Sequence, residues 1–244
     1  MKPYYDEDGI TIYHGDAREV LPTLERNSVD LLVTDPPYGV AHESNMALRK
    51  PHGPIVGDED EKVAREVLAA SCPVLRDRRH AYVFGPETLI EAPLANAVQL
   101  IWDKDVTGMG DLSLPWSKSW EPVNFAVLTR SKAAREQGKG RLSARLRKGA
   151  VIRCQRPNGQ ATKYHPTQKP VGILRQFIES SSLLGELVLD PFMGVGSTLV
   201  AAIQEERRAT GIEVDEKYCE RAAERCQAAT AAWAQGVLML GGDA

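Results

Sequence analysis

The chain has 244 residues, of which 43% are hydrophobic and 26% charged, and its formal net charge is −3. This length can form one domain with a substantial core. The four cysteines form no C-x-x-C pair, the N-terminus has no apolar signal region, and no apolar run reaches the roughly 18 residues of a membrane span, which predicts a cytoplasmic protein and excludes a membrane protein.

Short β-rich runs alternate with amphipathic stretches along the chain. Seven strands are predicted, over residues 9–16, 29–35, 80–85, 97–104, 123–130, 187–192 and 209–214. Helices are predicted over residues 58–76, 197–208 and 216–235. This alternation predicts an α/β fold with a mostly parallel sheet covered by helices on both faces. No helix separates the fourth predicted strand from the fifth, so we expect these two to form an antiparallel hairpin at one edge of the sheet.

The stretch TDPPYGV, residues 34–40, directly follows the apolar run VDLLV. Two prolines donate no backbone hydrogen bond and fix their own φ angles, so the strand must end there in a rigid turn. A plain strand end would not need the acid and the tyrosine that flank the prolines. Because open α/β sheets bind ligands at the carboxyl ends of their strands, Asp35 and Tyr38 are candidate site residues.

A second informative stretch is LVLDPFMGVGSTLVAA, residues 187–202. A predicted strand ends at Asp190, the following loop contains Gly194 and Gly196, and a helix begins at residue 197 or 198. Glycines let a backbone approach a ligand closely, and the start of a helix offers free N–H groups. Glu213 ends the next predicted strand, where an acid can bind ribose hydroxyls. The pattern therefore predicts a nucleoside site.

Two common nucleotide-binding motifs are absent from this stretch. The dinucleotide fingerprint needs a third glycine, and this chain has Leu199 at that position. No G-K-[ST] follows the glycines, which excludes a Walker loop. The acid at Asp190 would repel a phosphate, but it suits a cationic or zwitterionic ligand.

Basic residues are concentrated in one segment, residues 131–163, which contains ten lysines and arginines and a single acid. The segment carries +9, so the rest of the chain carries −12. A basic insertion on an otherwise acidic protein is typical of a nucleic-acid contact, because phosphates dominate such affinities. A solvated loop is the alternative that composition leaves open.

Four motifs, TDPPYGV, YHPTQKP (164–170), DPFMGVGSTLVAA (190–202) and GIEVDEKY (211–218), occur in that order. Together they resemble the DNA amino-methyltransferases, which methylate the N6 amine of adenine or the N4 amine of cytosine. The D-P-P-Y motif precedes the glycine loop, as in the circularly permuted β group of that family. The resemblance covers roughly residues 14–218, and it implies a Rossmann-like sheet of seven mostly parallel strands.

The resemblance implies S-adenosylmethionine as cofactor and no metal. In such enzymes, the acid matching Glu213 binds the ribose hydroxyls, the "GD" aspartate contacts adenine, and the HPTQKP motif closes over the methionine end. The residues that the resemblance assigns to the cofactor are Asp16, His165, Thr167, Lys169, Asp190, Phe192, Gly194, Gly196, Ser197, Thr198 and Glu213.

The D-P-P-Y residues are predicted to act on the base. The exocyclic amine is a poor nucleophile because its lone pair is delocalised into the ring. The Asp35 carboxylate and the Pro36 carbonyl can each accept one N–H, and the carboxylate can take the proton after transfer. Pro37 makes the turn rigid, and the Tyr38 ring offers a stacking face for a base flipped out of the duplex.

Cytosine N4 members of the family usually have serine where this chain has Asp35, which favours adenine and leaves cytosine N4 as the alternative. An enzyme acting on RNA or protein, and a catalytically silent DNA-binding protein, are also left open.

The resemblance also implies the division of the chain and its partners. We expect a catalytic domain of residues 1–130 and 164–244, with 131–163 as the target-recognition segment. The partner is double-stranded DNA, a homodimer is expected by analogy, and any restriction endonuclease would be a separate chain. The candidate DNA-binding residues are Lys139, Arg141, Arg145, Arg147, Lys148, Arg153 and Arg156.

Overall fold

The computed structural model describes residues 1–37, 61–105, 115–116, 119–130, 148–155 and 168–236. The strands in these ranges are β1 (Tyr5–Glu7), β2 (Ile10–His14), β3 (Val29–Thr34), β4 (Leu75–Phe84), β5 (Leu94–Asp103), β6 (Trp120–Leu128), β7 (Val151–Arg153), β8 (Leu187–Asp190) and β9 (Arg208–Glu213). The helices are α1 (Ala17–Val20), α2 (Glu61–Ser71), α3 (Val171–Ser181), α4 (Ser197–Gln204) and α5 (Glu216–Ala234), with short 3₁₀ turns at Leu21–Thr23 and Glu87–Leu89.

All the described strands belong to one mixed sheet, in the order β1-β2-β9-β8-β3-β4-β6-β5-β7. Strands β2, β9, β8, β3 and β4 are parallel to one another and form its centre. Strand β6 is antiparallel to both β4 and β5, which confirms the predicted antiparallel pair. The prediction of an α/β fold with a mostly parallel central sheet is therefore confirmed.

The sheet has nine strands in the described residues, so the predicted number of seven is wrong. The two additional strands, β1 and β7, contain three residues each, and so short a run has too few residues to display an alternating pattern. Strand β7 pairs with β5, so it lies outside the hairpin, which is not the edge of the sheet. Helix α3, which begins after Pro170, was not among the predicted helices.

Helices cover both faces of the sheet, as predicted. Helices α3, α4 and α5 pack on one face, where Phe177 and Leu199 contribute buried side chains. Helices α1 and α2 pack on the other face through residues such as Val67 and Leu68. Fully burying an apolar side chain of this size contributes roughly 1.5–3 kcal/mol, so the two clusters contribute much of the stability of the fold. None of the described helices meets the length and hydropathy needed to cross a membrane.

The strand order brings the candidate residues to one edge. Strands β8 and β3 are neighbours in the centre of the sheet, and the chain leaves them in opposite directions, towards β9 and towards β4. This is a topological switch point, where the loops after two parallel strands diverge and open a crevice. The loop after β8 and the turn after β3 both border that crevice.

Candidate active site

The loop between β8 and α4 has a left-handed backbone at both of its glycines. The φ angle is 52° at Gly194 and 76° at Gly196, which directly precedes the first residue of α4. A Cβ atom added at Gly196 would lie 2.8 Å from the Cβ of Ala222 in α5, so helix packing also requires glycine there. A Cβ at Gly194 would have no atom within 4 Å, so the loop is open on that side.

Asp190 fixes the start of this loop. Its carboxylate accepts hydrogen bonds from the hydroxyl of Thr198 (2.6 Å), the hydroxyl of Thr34 (2.9 Å) and the amide of Phe192 (3.1 Å). The side chain is buried, and burial raises the pKa of Asp190 to about 7, although the three hydrogen bonds oppose this shift. Because Thr34 directly precedes Asp35, Asp190 ties the glycine loop to the D-P-P-Y turn.

Glu213, at the end of β9, holds the other side of the glycine loop. One carboxylate oxygen accepts the amide of Gly194 (3.0 Å), and the other accepts the amides of Val214 and Asp215 (both 2.9 Å). Burial raises the pKa of Glu213, and the three backbone donors partly offset this. Three backbone amides therefore fix the orientation of this carboxylate at the edge of the crevice.

Asp16 lies beside this point, because β2 pairs with β9 and the amide of Gly15 donates to the carbonyl of Glu213 (2.9 Å). Asp16 caps α1 by accepting the amide of Arg18 (2.8 Å). The Arg18 guanidinium also donates hydrogen bonds to this carboxylate, the shortest of them 2.6 Å. These bonds lower the pKa of Asp16.

The D-P-P-Y turn begins at the carboxyl end of β3 with Asp35, whose side chain is 26% exposed. Pro36 is buried and Pro37 is half-buried. The preceding residue, Thr34, is anchored to Asp190 by its hydroxyl (2.9 Å). The sequence predicted that Asp35 and Asp190 each lie at the end of a strand, and the structure shows that these strands, β3 and β8, are parallel neighbours.

Lys169 lies against the D-P-P-Y turn. Its ammonium is 2.8 Å from the carboxylate of Asp35 and 3.0 Å from that of Glu121 in β6. It also lies over the rings of Phe84 and Trp102, 4.9 and 5.9 Å from their centroids. The predicted role of Lys169 at the methionine end of the cofactor stays a prediction, since its described contacts are with Asp35, Glu121 and the two aromatic rings.

The remaining predicted cofactor residues have different positions. Phe192 is half-buried in the glycine loop. Ser197 and Thr198 are buried at the start of α4, where the Ser197 hydroxyl accepts a hydrogen bond from Arg225 of α5 (3.3 Å). The Ser197 hydroxyl therefore links α4 to α5, and the Thr198 hydroxyl links α4 to Asp190. Tyr38, His165 and Thr167 lie outside the described residues, so their assignments stay predictions.

Two of the candidate DNA-binding residues lie in the described part of the basic segment. Lys148 is paired with Glu179 (3.1 Å), and Arg153, at the end of β7, is paired with Asp103 (3.3 Å). Residues 151–153 form strand β7 at the edge of the nine-stranded sheet. The assignments of Lys139, Arg141, Arg145, Arg147 and Arg156 fall outside the described residues.

Sequence reasoning missed three residues of this site: Thr34, Glu121 and Lys104. Thr34 belongs to the motif TDPPYGV, but the sequence does not show that its hydroxyl donates a hydrogen bond to Asp190. Glu121 pairs with Lys169 and with Lys104 (2.6 Å) and is largely buried. The two lysines lower the pKa of Glu121 even though burial acts in the opposite direction. The only sequence signal was a lone acid at the start of an apolar strand.

The chain is similar to DNA methylases in sequence. The family model of DNA methylases with N6 and N4 specificity matches residues 29–224. A protein named "Putative methylase YubD" from Escherichia coli (strain K12) is 30% identical, over 91% of this chain and 92% of its own. The DNA adenine methyltransferase YhdJ of the same organism is 24% identical, over 93% of this chain and 85% of its own.

Solved structures agree on the fold. The complex of M1.HpyAVI with SAM has a TM-score of 0.67 and 24% identity, over 88% of this chain and 98% of that one. The cytosine-N4-specific PvuII DNA methyltransferase has a TM-score of 0.67 and 16% identity, over 98% of this chain and 95% of that one. At these identities the likeness shows the fold alone, a Rossmann-like mixed sheet with helices.

The matched region includes both the D-P-P-Y turn and the glycine loop. The chain therefore belongs to the N6/N4 family of DNA methylases, and it is a DNA methyltransferase. The predicted cofactor, S-adenosylmethionine, is the methyl donor of this family and is confirmed by this membership.

Proposed function

We propose that the protein transfers a methyl group to the N6 amine of adenine in double-stranded DNA. The observation that carries the proposal is Asp35, an ionisable acid at the first position of the D-P-P-Y turn, which borders the same crevice as Asp190 and the glycine loop. Serine is usual at this position in the cytosine N4 members that the sequence resembles, so the acid favours adenine.

The described residues fit the proposed cofactor. S-adenosylmethionine supplies a methyl group bound to a positively charged sulfur. The crevice edge carries the carboxylates of Asp16, Asp190 and Glu213, which suit a ligand with two cationic groups and no phosphate. Gly194 leaves open space at the loop. We assign the hydroxyl-binding role to Glu213 and the adenine contact to Asp16.

Asp35 and Pro36 are proposed to bind the target amine. The carboxylate and the proline carbonyl each accept one N–H, which draws the amine nitrogen towards tetrahedral geometry and frees its lone pair. After methylation, the surplus proton of the amine passes to Asp35. Pro36 is buried at the end of β3, so its carbonyl is held without a competing N–H.

The target base must leave the duplex to reach Asp35, because an amine inside the base stack is inaccessible. We therefore assign base flipping to this protein, with Tyr38 as the stacking surface. Residues 131–163 are proposed as the segment that reads the target site. A homodimer and a separate restriction endonuclease belong to the same proposal, and sedimentation of the purified protein tests the first of these.

The decisive experiment uses isotopically labelled S-adenosylmethionine and unmethylated duplex DNA. The DNA is digested to nucleosides, and labelled products are identified by mass spectrometry. We expect label in N6-methyladenine nucleoside. Label in the N4-methylcytosine nucleoside instead would keep the chemistry and overturn the base assignment.

A competition experiment tests the substrate class. Duplex DNA and RNA of matched sequence are supplied together, and DNA is expected to receive nearly all of the label. A strong preference for RNA would overturn the proposal. Bound cofactor without label in either nucleic acid would favour a protein substrate or a silent DNA-binding protein.

A further inference from the structure

Four charged side chains form a chain of alternating sign next to the proposed amine-binding turn. Asp35 pairs with Lys169 (2.8 Å), Lys169 with Glu121 (3.0 Å), and Glu121 with Lys104 (2.6 Å). They come from four separate places in the fold: the ends of β3 and β5, the start of β6, and the segment before α3. The arrangement therefore exists only in the folded protein.

The ion chain is most exposed at its Asp35 end. The side chains of Lys169, Lys104 and Glu121 are 10%, 14% and 17% exposed, whereas that of Asp35 is 26% exposed. The rings of Phe84 and Trp102 form an apolar wall at Lys169. The Trp102 ring is itself held, because its N–H donates to the carbonyl of Cys154 (2.7 Å). The ammonium of Lys169 is thus confined between two carboxylates and two aromatic rings.

We propose that Glu121 is a positioning residue for methyl transfer, acting through Lys169. This inference rests on the proposed function, because it assumes that Asp35 binds the target amine. Glu121 holds the ammonium of Lys169 where it orients the Asp35 carboxylate. It also shares the positive charge of Lys169, so that this charge is not concentrated on Asp35.

The need for a second carboxylate follows from the properties of a confined ammonium. A lysine in a low-dielectric site requires an anionic partner, and its attraction for a single carboxylate would be strong. A carboxylate held tightly by a cation is a poorer hydrogen-bond acceptor and a weaker base. Because Glu121 takes part of the ammonium's charge, Asp35 remains able to accept the N–H of the amine.

Lys104 completes the arrangement by pairing with the other carboxylate oxygen of Glu121, Oε1, while Lys169 pairs with Oε2. Without Lys104, Glu121 would draw Lys169 away from Asp35. Both lysines contribute to the lowered pKa of Glu121, which keeps the carboxylate ionised at neutral pH. The ion chain as a whole is neutral, so it can lie beside a cationic cofactor without adding net charge to the site.

The test replaces Glu121 with glutamine and compares it with a matched variant. Glu186→Gln removes the same charge from another largely buried glutamate, which pairs with Arg79 at the opposite end of the sheet (2.5 Å). We expect Glu121→Gln to lower kcat for DNA methylation by about 10- to 100-fold, with KM for S-adenosylmethionine within about twofold of wild type. Glu186→Gln should lose stability but keep kcat within about twofold.

A double variant shows whether Glu121 acts through Lys169. Once Lys169→Gln has removed the ammonium, adding Glu121→Gln should lower kcat by less than about twofold further. If Glu121→Gln does not fold, Glu121→Asp provides the test, because it keeps the charge and shortens the reach to Lys169 by about 1.5 Å. We expect this variant to lower kcat by about tenfold.

The outcomes separate this inference from the proposed function. Wild-type protein that methylates no DNA overturns the proposed function, and this inference with it. If the wild-type protein methylates DNA, a kcat of Glu121→Gln equal to that of Glu186→Gln overturns this inference and leaves the proposed function standing. The same applies to Glu121→Asp where it is used in place of Glu121→Gln. The same holds if the effects of the Glu121 and Lys169 substitutions multiply independently.

Discussion

The two ends of the parallel sheet each carry a buried network of acids and bases, and the two networks differ in kind. At the amino end, Asp30 pairs with Arg76 (2.5 Å) and Arg79 (2.9 Å), and Arg79 also pairs with Glu186 (2.5 Å). The side chains of Asp30 and Arg79 are 2% and 7% exposed. At the carboxyl end, the corresponding network ends in the partly exposed Asp35.

In the amino-end network, both acids also accept hydrogen bonds from backbone amides. The second oxygen of Asp30 accepts the amide of Leu187 (3.1 Å), and Glu186 accepts the amide of Leu183 (2.7 Å). Its cations are arginines, whose planar forks fix several oxygens at once. The carboxyl-end network uses lysines, which act as point charges and leave geometric freedom around Asp35. The first arrangement holds strands together, and the second holds an acceptor ready for a ligand.

Removing the acid at the carboxyl end should have the largest effect of all. We expect Asp35→Ala to reduce the rate of DNA methylation by about 10⁴-fold, since both a hydrogen-bond acceptor and a proton acceptor are lost. Calorimetric binding of S-adenosylmethionine and the free energy of unfolding should change little, because Glu121 still compensates Lys169. A variant with unaltered methyl transfer would refute the role of Asp35.

The converse result is expected at the amino end. Asp30→Ala leaves Arg79 buried with one acid instead of two, so the free energy of unfolding should fall by about 3 kcal/mol. Denaturant titration measures this loss. The rate of methylation per folded molecule should be that of the wild type, and a large fall in that rate would contradict the division between the two ends.

Alanine substitutions at two glycines with similar φ angles test the difference between the two ends of the sheet. Gly196, at the carboxyl end, has φ 76° and no room for a Cβ against Ala222, whereas Gly185, in the turn before β8, has φ 74° and no atom within 4 Å of an added Cβ. We expect Gly196→Ala to cost about 2 kcal/mol of stability and to weaken cofactor binding. Gly185→Ala should cost about 1 kcal/mol and leave cofactor affinity unchanged. Equal cofactor affinities in the two variants would argue against the glycine loop as the cofactor site.

Much of the carboxyl end could be predicted because its residues follow strand-forming runs directly. Asp35, Asp190 and Glu213 each come at or just after the last residue of a strand, and parallel strands end at one edge. Glu121 could not be predicted in the same way. It lies at the start of an antiparallel strand, and only the order of β4, β6 and β5 brings it to this edge.

The amino-end network was equally hidden in the sequence. Asp30 interrupts the apolar run VDLLV, and a strand pattern alone gives no reason for a buried acid there. Its partner Arg79 ends a run of four charged residues, 76–79, in the first half of β4, and the predicted strand begins only at residue 80. Ion pairs between distant residues depend on register, which the alternation of side chains does not fix.

A buried neutral histidine adjoins the amino-end network and provides the smallest expected effect. The His80 ring nitrogen Nδ1 and the Tyr82 hydroxyl both lie 2.8 Å from the hydroxyl of Ser181 in α3. Burial, and to a lesser extent Arg79, lower the pKa of His80 to about 4. Between this pH and about 6.5, the unfolded chain binds a proton that the folded protein does not. The contribution of His80 to stability is therefore complete above this range and is lost as the pH falls through it.

His80→Gln should remove this dependence on pH. Because Asp190, with its raised pKa, titrates over an overlapping range in the opposite direction, the quantity to measure is the difference in unfolding free energy between wild type and variant. From urea titrations, we expect this difference to change by about 1 kcal/mol between pH 5 and pH 6, with the wild type gaining relative stability at the higher pH. A constant difference would mean that His80 titrates alike in the folded and unfolded states, and the strands between the two networks would then be more open to water than their burial implies.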